Sequence, residues 1–245
     1  MADLVVIDGD SIAYVGGAMS SPELAKMTVD RVIGNILQDT GVRAYELFLE
    51  PWEIPKCTFR DSIATERVYK GNRKGPKPEF VTLMREYMRD TWNAQLAWPG
   101  LESEDCCVVR AYENGIENTI VAYVDKDLEG HPLQLYNYTK RIFLRPTEHA
   151  AKRWHAKQLL MGDSTDNIVG IKGMGPAGAN KVLRDADDDT LLQTVAQAYR
   201  DGGYSYEYFI EMYNLITIRS VRETIPSLLI PMTEEEYNSI SVEVM

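Results

Sequence analysis

The chain has 245 residues, 44% of them hydrophobic, and a net charge of −11, which fits one sizeable core with room for a small second module. No apolar run reaches the roughly 18 residues that a membrane-spanning helix needs, and the first residues lack the features of a signal peptide. The three cysteines have the spacing of neither a zinc site nor a disulfide framework, so we expect a protein of the reducing cytoplasm with no membrane contact.

The acidic total conceals two basic segments. One extends from Lys56 to Arg89 and the other from Lys140 to Lys157, whereas the acids concentrate at particular motifs and after Arg184. Local potential, rather than net charge, attracts a phosphate polymer. An acidic chain with this charge pattern can therefore bind DNA.

The first predicted element is a buried strand from Leu4 to Ile7, directly followed by Asp8. Open α/β sheets bind ligands at the carboxyl ends of their strands, which makes Asp8 a candidate functional residue. For this motif alone, a turn that caps a helix is the more common interpretation.

A helix and a second strand are predicted next. The helix begins after Ser21, continues through Leu37, and has Gly41 as its stop signal. The strand spans Ala44 to Leu49, so Glu50 follows its carboxyl end.

The first basic segment contains Tyr69-Lys70-Gly71-Asn72-Arg73. Lys70 and Arg73 are spaced to lie one helical turn apart. An isolated pair of cations with this spacing is usually just a solvated helix face.

Acidic side chains accompany two further elements. Glu102, Glu104 and Asp105 open a predicted helix, where acids are also good capping residues. The clearest strand, from Asn118 to Val124, is followed by Asp125 and Asp127, which strand alternation would point to one side.

An amphipathic helix from Thr147 to Leu160 leads into the stretch MGDSTDNIVGIKGMGPAGANKVL, residues 161–183. Asp163 and Asp166 are three apart, so on a helical turn both carboxylates would face the same way. A glycine-rich hairpin follows, with Pro176 suited to the first position of the next helix. Glycines allow close approach to another surface, and a helix start favours phosphate. An aspartate-capped turn plus an ordinary glycine loop is the alternative.

From Val5 to Leu183, these motifs resemble, in order, those of the structure-specific 5′ nucleases: the flap endonucleases, the N-terminal nuclease of bacterial DNA polymerase I, and the phage 5′ exonucleases. The segment GDSTDNIVGIKGMGPAGA is similar to their helix–three-turn–helix, and the loop from Leu128 to Tyr136 is more similar to the phage proteins. The resemblance implies an α/β fold with a central, mostly parallel sheet flanked by helices (a PIN-like core), a helix–three-turn–helix module and a short arch.

The implied organisation has three parts. Residues 1–158 form the nuclease core, with the arch region at 70–98. Residues 159–200 form the helix–three-turn–helix module, and residues 201–245 form a C-terminal helical segment that packs back on the core.

The resemblance also implies a metal site built from carboxylates. The matching acids are Asp8, Glu50, Glu102, Glu104, Asp105, Asp125, Asp127, Asp163 and Asp166. So many acids close together would repel one another without cations, and oxygen-only ligands favour Mg²⁺ or Mn²⁺ over zinc. We expect two ions about 4 Å apart. The proposed groups are Asp8, Glu50 and Glu104 for one ion, and Asp125, Asp127 and Asp163 for the other, with Glu102, Asp105 and Asp166 bridging or acting through water.

Further roles follow from the same resemblance. Asp8, Asp125, Lys70 and Arg73 are the expected catalytic residues, the two cations offsetting charge on the scissile phosphate. The expected DNA contacts are Tyr14, which would stack on a base, with Arg60, Lys74, Lys77, Arg85, Gly170, Lys172, Gly173, Gly175 and Lys181. The hairpin carbonyls can hold a K⁺ ion.

The expected function is divalent-metal-dependent hydrolysis of phosphodiester bonds at DNA 5′ ends, nicks or flaps, as a 5′–3′ exonuclease or flap endonuclease. Removal of RNA primers from RNA–DNA hybrids is an extension. We expect a monomer of the cytoplasm, or of the host cytoplasm for a phage protein. The alternatives are a DNA-junction binding protein with a decayed nuclease site, and a PIN-like RNase, although such RNases lack the glycine hairpin.

Overall fold

The computed structural model describes residues 2–54, 58–223 and 226–240. Lys56, the first cation of the first basic segment, lies outside them. The strands are β1 (Leu4–Asp8), β2 (Ala44–Leu49), β3 (Gln95–Leu96), β4 (Thr119–Tyr123), β5 (Gln134–Asn137) and β6 (Ile142–Leu144). The α-helices are α1 (Asp10–Gly17), α2 (Pro22–Thr40), α3 (Phe59–Ile63), α4 (Val81–Trp92), α5 (Ser103–Asn114), α6 (Glu148–Met161), α7 (Pro176–Val182), α8 (Leu191–Asp201), α9 (Tyr206–Ile216) and α10 (Glu234–Ser239).

The chain forms two compact units, and the first contains the sheet. It comprises Met1–Thr58, Gly75–Pro146 and Ile218–Pro226. The strand order is β3-β2-β1-β4-β5-β6, and every neighbouring pair is parallel except β5 with β6. The prediction of a mostly parallel sheet flanked by helices is confirmed.

The sheet register brings the carboxyl ends of three strands to one edge. Asp8 is paired with Phe48 on β2, and Ile7 with Ala122 on β4. Because β1 and β4 are buried along their whole length, their apolar side chains fix this register. The strand order reverses direction at β1, and this is where open α/β sheets bind ligands.

Local signals in the sequence explain α2. The Ser21 hydroxyl accepts a hydrogen bond from the Leu24 backbone N–H at 3.3 Å and so caps the first turn. Gly41 ends the helix with φ of 68°, a left-handed conformation that glycine adopts without strain. The predicted start and stop of this helix are confirmed.

The predicted arch region, residues 70–98, contains one helix, α4. Its Met84 and Met88 are fully buried in the core of the first unit, together with Ile33 of α2. Apolar burial of this kind keeps α4 against α1 and α2, and the stretch from Lys74 to Phe80 is turn and irregular chain. The region therefore has no pair of long arch helices.

The second unit is helical and comprises Phe59–Lys74, Thr147–Thr217 and Ser227–Met245. This division differs from the predicted boundaries. Residues 59–74 and 147–158, which were predicted in the nuclease core, belong to the second unit. Ile218–Pro226, which was predicted in the C-terminal segment, belongs to the first unit. One physical cause is Glu211 of α9, whose carboxylate accepts hydrogen bonds from the backbone N–H groups of Thr65 and Glu66 at 2.9 and 3.0 Å. In the described parts of the chain, no helix is long and apolar enough to cross a membrane.

Candidate active site and nucleic-acid interface

Asp8 ends β1 at the carboxyl edge of the sheet and is almost completely buried. The Ser103 hydroxyl donates to its Oδ1 at 2.7 Å. Burial raises the pKa of Asp8 to about 6. The Ser103 hydrogen bond acts in the opposite direction, while the charges of Asp10 and Asp125 raise the pKa further. Asp125 therefore lies close enough to Asp8 for the two charges to interact.

Glu50 and Glu104 lie at the same edge. The backbone N–H of Ser103 donates to Glu50 Oε1 at 2.7 Å, which joins the end of β2 to the start of α5. Burial raises the pKa of the Cys107 thiol well above its ordinary value, and the charges of Asp8, Glu104 and Glu50 add to this rise. The structure thus brings these three acids together around the first turn of α5.

Arg85 forms an ion pair with Asp10, and this corrects the prediction that Arg85 contacts DNA. The Arg85 Nε donates to Asp10 Oδ1 at 3.2 Å, and its Nη2 pairs with Asp10 Oδ2. The Glu50 backbone N–H also donates to Asp10 Oδ1, at 3.1 Å. Arg85 is only 4% exposed. It is therefore a structural cation next to the acidic edge, with almost no surface to offer DNA.

Glu102 and Asp105 form a capping box at the start of α5, in which each side chain accepts from the other's backbone N–H. Asp105 is fully buried, and its Oδ1 also accepts from the Arg219 backbone N–H at 2.8 Å. These contacts give Asp105 a structural role, and its part in metal binding, by bridging or through water, stays a prediction. Glu102 is 4% exposed and shares this capping role.

Asp125 and Asp127 lie beyond the end of β4, which ends at Tyr123. Asp125 caps a short 3₁₀ helix, Lys126–Gly130, and its Oδ1 accepts from the Asp127 backbone N–H at 3.1 Å. Asp127 Oδ1 lies 3.2 Å from Lys126 Nζ. Strand alternation therefore does not determine the positions of these two carboxylates, and the 3₁₀ helix with its N-cap does so instead.

The donor chemistry of this edge fits a hard divalent cation. Its carboxylates are Asp8, Glu50, Glu104 and Asp125, and burial, more than the neighbouring charges of Asp10 and Asp125, raises the pKa of Asp8. Across residues 2–54, 58–223 and 226–240, no three His, Cys, Asp or Glu side chains are already arranged as a metal site. Binding would therefore require side-chain rotations that replace present hydrogen bonds, such as the one from Ser103 to Asp8.

In the second unit, Asp163 closes a tight turn. Its backbone N–H and C=O pair with Ile168 at 2.9 and 2.7 Å, and its Oδ1 accepts from the Thr165 backbone N–H at 2.6 Å. The helical geometry predicted for Asp163 and Asp166 is therefore wrong. Asp163 is 6% exposed.

Asp166 binds the segment that carries the predicted catalytic cations. Its carboxylate accepts from the Tyr69 hydroxyl at 2.9 Å and from Arg73 Nη2 at 2.5 Å, and it lies 3.7 Å from Lys70 Nζ. Lys70 has φ of 53°, which is uncommon for a residue with a side chain, and its N–H donates to the Asp166 carbonyl at 2.9 Å. Residues 69–72 thus form a turn, and the predicted helical spacing is wrong.

Gly162 and Gly170 let two backbone segments touch. A Cβ added to Gly170 would lie 2.3 Å from the Gly162 nitrogen, and one added to Gly162 would lie 2.3 Å from the Ile168 carbonyl oxygen. Beyond this contact, Lys172, Gly173 and Lys181 are exposed, and Gly175 is half-buried. The hairpin therefore presents backbone and lysine side chains to solvent.

Arg60 is the second predicted DNA contact that needs correction. It is 1% exposed, and its guanidinium donates to the backbone carbonyls of Leu215 and Thr217 at 3.1 and 3.0 Å. These bonds fasten α3 to the end of α9. Lys74 and Lys77, by contrast, are exposed.

Two aromatic side chains, Tyr14 and Trp52, lie beside Arg85, and Trp52 was not predicted from the sequence. Arg85 lies 5.7 Å from the ring centre of Tyr14 and 6.0 Å from that of Trp52. Tyr14 is 37% exposed, as a base-stacking residue requires. Trp52 follows Glu50 by two residues. Its closeness to a candidate acid at a strand end could have indicated Trp52 from the sequence.

Ser103 and Tyr138 are further residues that sequence reasoning missed. Ser103 contacts both Asp8 and Glu50, and its position between two candidate acids was a usable signal. Burial raises the pKa of Tyr138 well above its usual value, and the Asp8 charge adds to this rise. Tyr138 follows β5, and nothing in its local sequence indicated this neighbour.

Comparison with known proteins gives similarities of sequence and of fold, although no family model matches the chain. A 5′-3′ exonuclease of Bacillus subtilis (strain 168) is 29% identical over 168 residues, which are 59% of this chain and 54% of that protein. An exonuclease of Escherichia phage T7 is 27% identical over 70% of this chain and 64% of its own length. The chain thus spans about half the length of the Bacillus relative.

Among solved structures, the bacteriophage T5 flap endonuclease, crystallised as a pseudo-enzyme-product complex with DNA and metal ions, has a TM-score of 0.65 and 15% identity. The match covers 87% of this chain and 88% of that one. At this identity the match establishes a shared fold. The resemblance of this chain to the structure-specific 5′ nucleases is thereby confirmed in both sequence and fold.

Proposed function

We propose that the chain is a divalent-metal-dependent phosphodiesterase that acts on DNA 5′ ends or flaps, as a 5′–3′ exonuclease or flap endonuclease. The observation that carries this proposal is the cluster of Asp8, Glu50, Glu104 and Asp125 at the carboxyl edge of the sheet. The burial of Asp8 supports it, because burial disfavours the ionised carboxylate and raises its pKa, and a bound cation would offset that penalty. The names of the relatives support the same reaction class.

The four clustered acids would hold Mg²⁺ or Mn²⁺, because hard cations prefer oxygen ligands. Bound ions would supply an activated water and neutralise charge on the phosphodiester, as in other nucleases with two metals. Ser103 orients Asp8 and Glu50 toward the same region through its hydroxyl and its backbone N–H. The division of the acids between two ions, and the inclusion of Asp127, Asp163, Glu102 and Asp166, stay predictions.

That Lys70 and Arg73 offset negative charge on a scissile phosphate stays a prediction. Their shared contact with Asp166 supports this role, because an anchored cation loses less side-chain entropy when it binds. We accordingly favour a positioning role for Asp166 over a role as a metal ligand.

The hairpin of the second unit would bind the backbone of duplex DNA. Exposed Lys172 and Lys181 supply positive charge, and the glycines allow close approach. A K⁺ ion at the hairpin carbonyls, cleavage of RNA in RNA–DNA hybrids, and action as a monomer are finer parts of the same proposal.

A labelled 5′-flap duplex incubated with the protein tests the proposal. Cleavage should require Mg²⁺ and stop in EDTA, and Asp125→Asn should abolish cleavage while leaving DNA binding within about twofold. Asp189→Asn removes the same charge at an exposed position in the second unit and serves as the matched control. A flap with a 5′ RNA segment tests primer removal in the same assay.

Two outcomes would overturn the proposal. Binding without cleavage in Mg²⁺ would favour the DNA-junction binding protein, and cleavage that persists in EDTA would exclude the metal mechanism. A loss of binding in Asp125→Asn equal to the loss of cleavage would make Asp125 a structural residue.

A further inference from the structure

Two tyrosines from the C-terminal part of the second unit contact the backbone of the glycine hairpin. The Tyr208 hydroxyl donates to the Gly170 carbonyl at 2.7 Å. The Lys172 backbone N–H donates to the Tyr204 hydroxyl oxygen at 2.9 Å. The two hydroxyls therefore fix one carbonyl and one N–H on either side of Ile171.

The two rings support each other and are held in turn by their surroundings. They stack with centroids 4.6 Å apart and an angle of 24° between their planes. The Tyr204 N–H donates to the Tyr199 carbonyl at 3.0 Å, and the Tyr204 carbonyl accepts from the Tyr237 hydroxyl at 3.0 Å. Tyr199 donates from its own hydroxyl to the Leu159 carbonyl at 2.6 Å. This network makes the position of both hydroxyls rigid.

The Tyr204 hydroxyl can donate a hydrogen bond to a ligand in addition to accepting the one from Lys172. A phenol hydroxyl that accepts a hydrogen bond still carries a hydrogen to donate. Tyr204 is half-buried, and its oxygen lies next to Lys172, whose side chain is exposed. A donor fixed beside an exposed cation suits an anionic acceptor such as a phosphate oxygen.

We propose that Tyr204 is a phosphate-binding residue of the hairpin and that Tyr208 is a positioning residue for it. The ligand is a phosphodiester group of the duplex DNA backbone. This inference deepens the proposed function and rests on it. It gives the C-terminal part of the chain a role in DNA binding.

Three conservative substitutions test the inference, since each removes a single hydroxyl. Tyr204→Phe removes the proposed phosphate donor, and Tyr208→Phe removes the bond to Gly170. Tyr206→Phe is the matched control, because the Tyr206 hydroxyl donates to the Met232 carbonyl at 3.0 Å and not to the hairpin. Binding of a labelled duplex is measured by fluorescence anisotropy in EDTA, so that no cleavage is needed.

We expect Tyr204→Phe to weaken duplex binding about fivefold and Tyr208→Phe about threefold, with Tyr206→Phe unchanged. The salt dependence of binding should be the same in Tyr204→Phe as in the parent chain, because no charge is lost. Lys172→Ala should reduce that salt slope by about one. In flap cleavage, Tyr208→Phe should raise KM and leave kcat at saturating DNA unchanged.

Tyr204→Phe binding as tightly as the parent chain would overturn the inference, as would an equal loss in the Tyr206→Phe control. Urea unfolding of each variant excludes misfolding as the cause of a loss. The outcomes separate the two proposals. Weakened binding without any flap cleavage would refute the nuclease alone, and cleavage with unaltered binding would refute the role of Tyr204 alone.

Discussion

Replacing Asp8 by asparagine should stabilise the metal-free chain at neutral pH, even though it should abolish cleavage. Burial holds the pKa of Asp8 at about 6, against an ordinary value of 3.8. Between these two pH values the unfolded chain loses the proton while the folded chain keeps it. Folding stability therefore falls as pH rises from about 4 to about 6, and it stays lower above that range.

The magnitude follows from the size of the pKa shift. A shift of about two pH units, at 1.36 kcal/mol each, corresponds to roughly 3 kcal/mol. The neutral asparagine does not ionise, and its amide oxygen can still accept the hydrogen bond from Ser103. In EDTA, Asp8→Asn should thus be more stable than the parent chain by up to roughly 3 kcal/mol at pH 8 and by almost nothing at pH 4.

Urea unfolding followed by circular dichroism, at several pH values in EDTA, measures this difference. Asp189→Asn is the control, since it removes a carboxylate from an exposed position. The reasoning is refuted if Asp8→Asn gains no stability at pH 8, or if it gains the same amount at pH 4. Added Mg²⁺ should stabilise the parent chain at pH 8 but not Asp8→Asn, because an ion bound to the ionised form reverses the penalty.

Three further predictions test the contacts around the two candidate regions. Arg85→Met removes one member of a buried ion pair and should lower the free energy of unfolding, measured in urea, by about 3–5 kcal/mol. Gly170→Ala should lower the free energy of unfolding by at least about 2 kcal/mol, because the added Cβ would meet backbone atoms and φ is +60°. At Gly175 the added Cβ would meet open space, so Gly175→Ala should leave stability unchanged. Asp166→Asn should lower kcat for flap cleavage, with a loss that is not additive with that of Arg73→Gln, because both changes break one contact.

Each of these expectations has a contrary result. A cost below about 1 kcal/mol for Arg85→Met would mean that the ion pair is solvated. Equal stability of the two glycine variants would show that the tight backbone contact relaxes easily. Additive losses for Asp166 and Arg73 would restore the original prediction that Asp166 binds metal.

The sequence was sufficient wherever a local signal determines the structure. β2 has the predicted bounds, and α2 begins and ends at its predicted signals, because caps, glycine and apolar patterning act over a few residues. The clustering of Asp8, Glu50 and Asp125 was also predictable, since the carboxyl ends of parallel strands meet at one edge.

The sequence was insufficient where a contact joins distant residues. Arg60 donates hydrogen bonds to carbonyls about 155 positions away, and Arg85 donates to a carboxylate 75 positions away. The local sequence therefore did not indicate that these two arginine side chains are buried. Lys70 and Asp166 were expected on helical turns. Their actual conformations depend on each other, through a hydrogen bond that spans 96 positions.

The backbone conformation of Lys70 decides how its charge should be removed. At φ of 53°, alanine would keep the strain and lose the side-chain contacts that offset it, so a loss of activity would have two causes. Asparagine tolerates the left-handed region better than most residues. Lys70→Asn therefore deletes the cation while preserving the turn, and it separates the electrostatic contribution of this lysine from its contribution to folding.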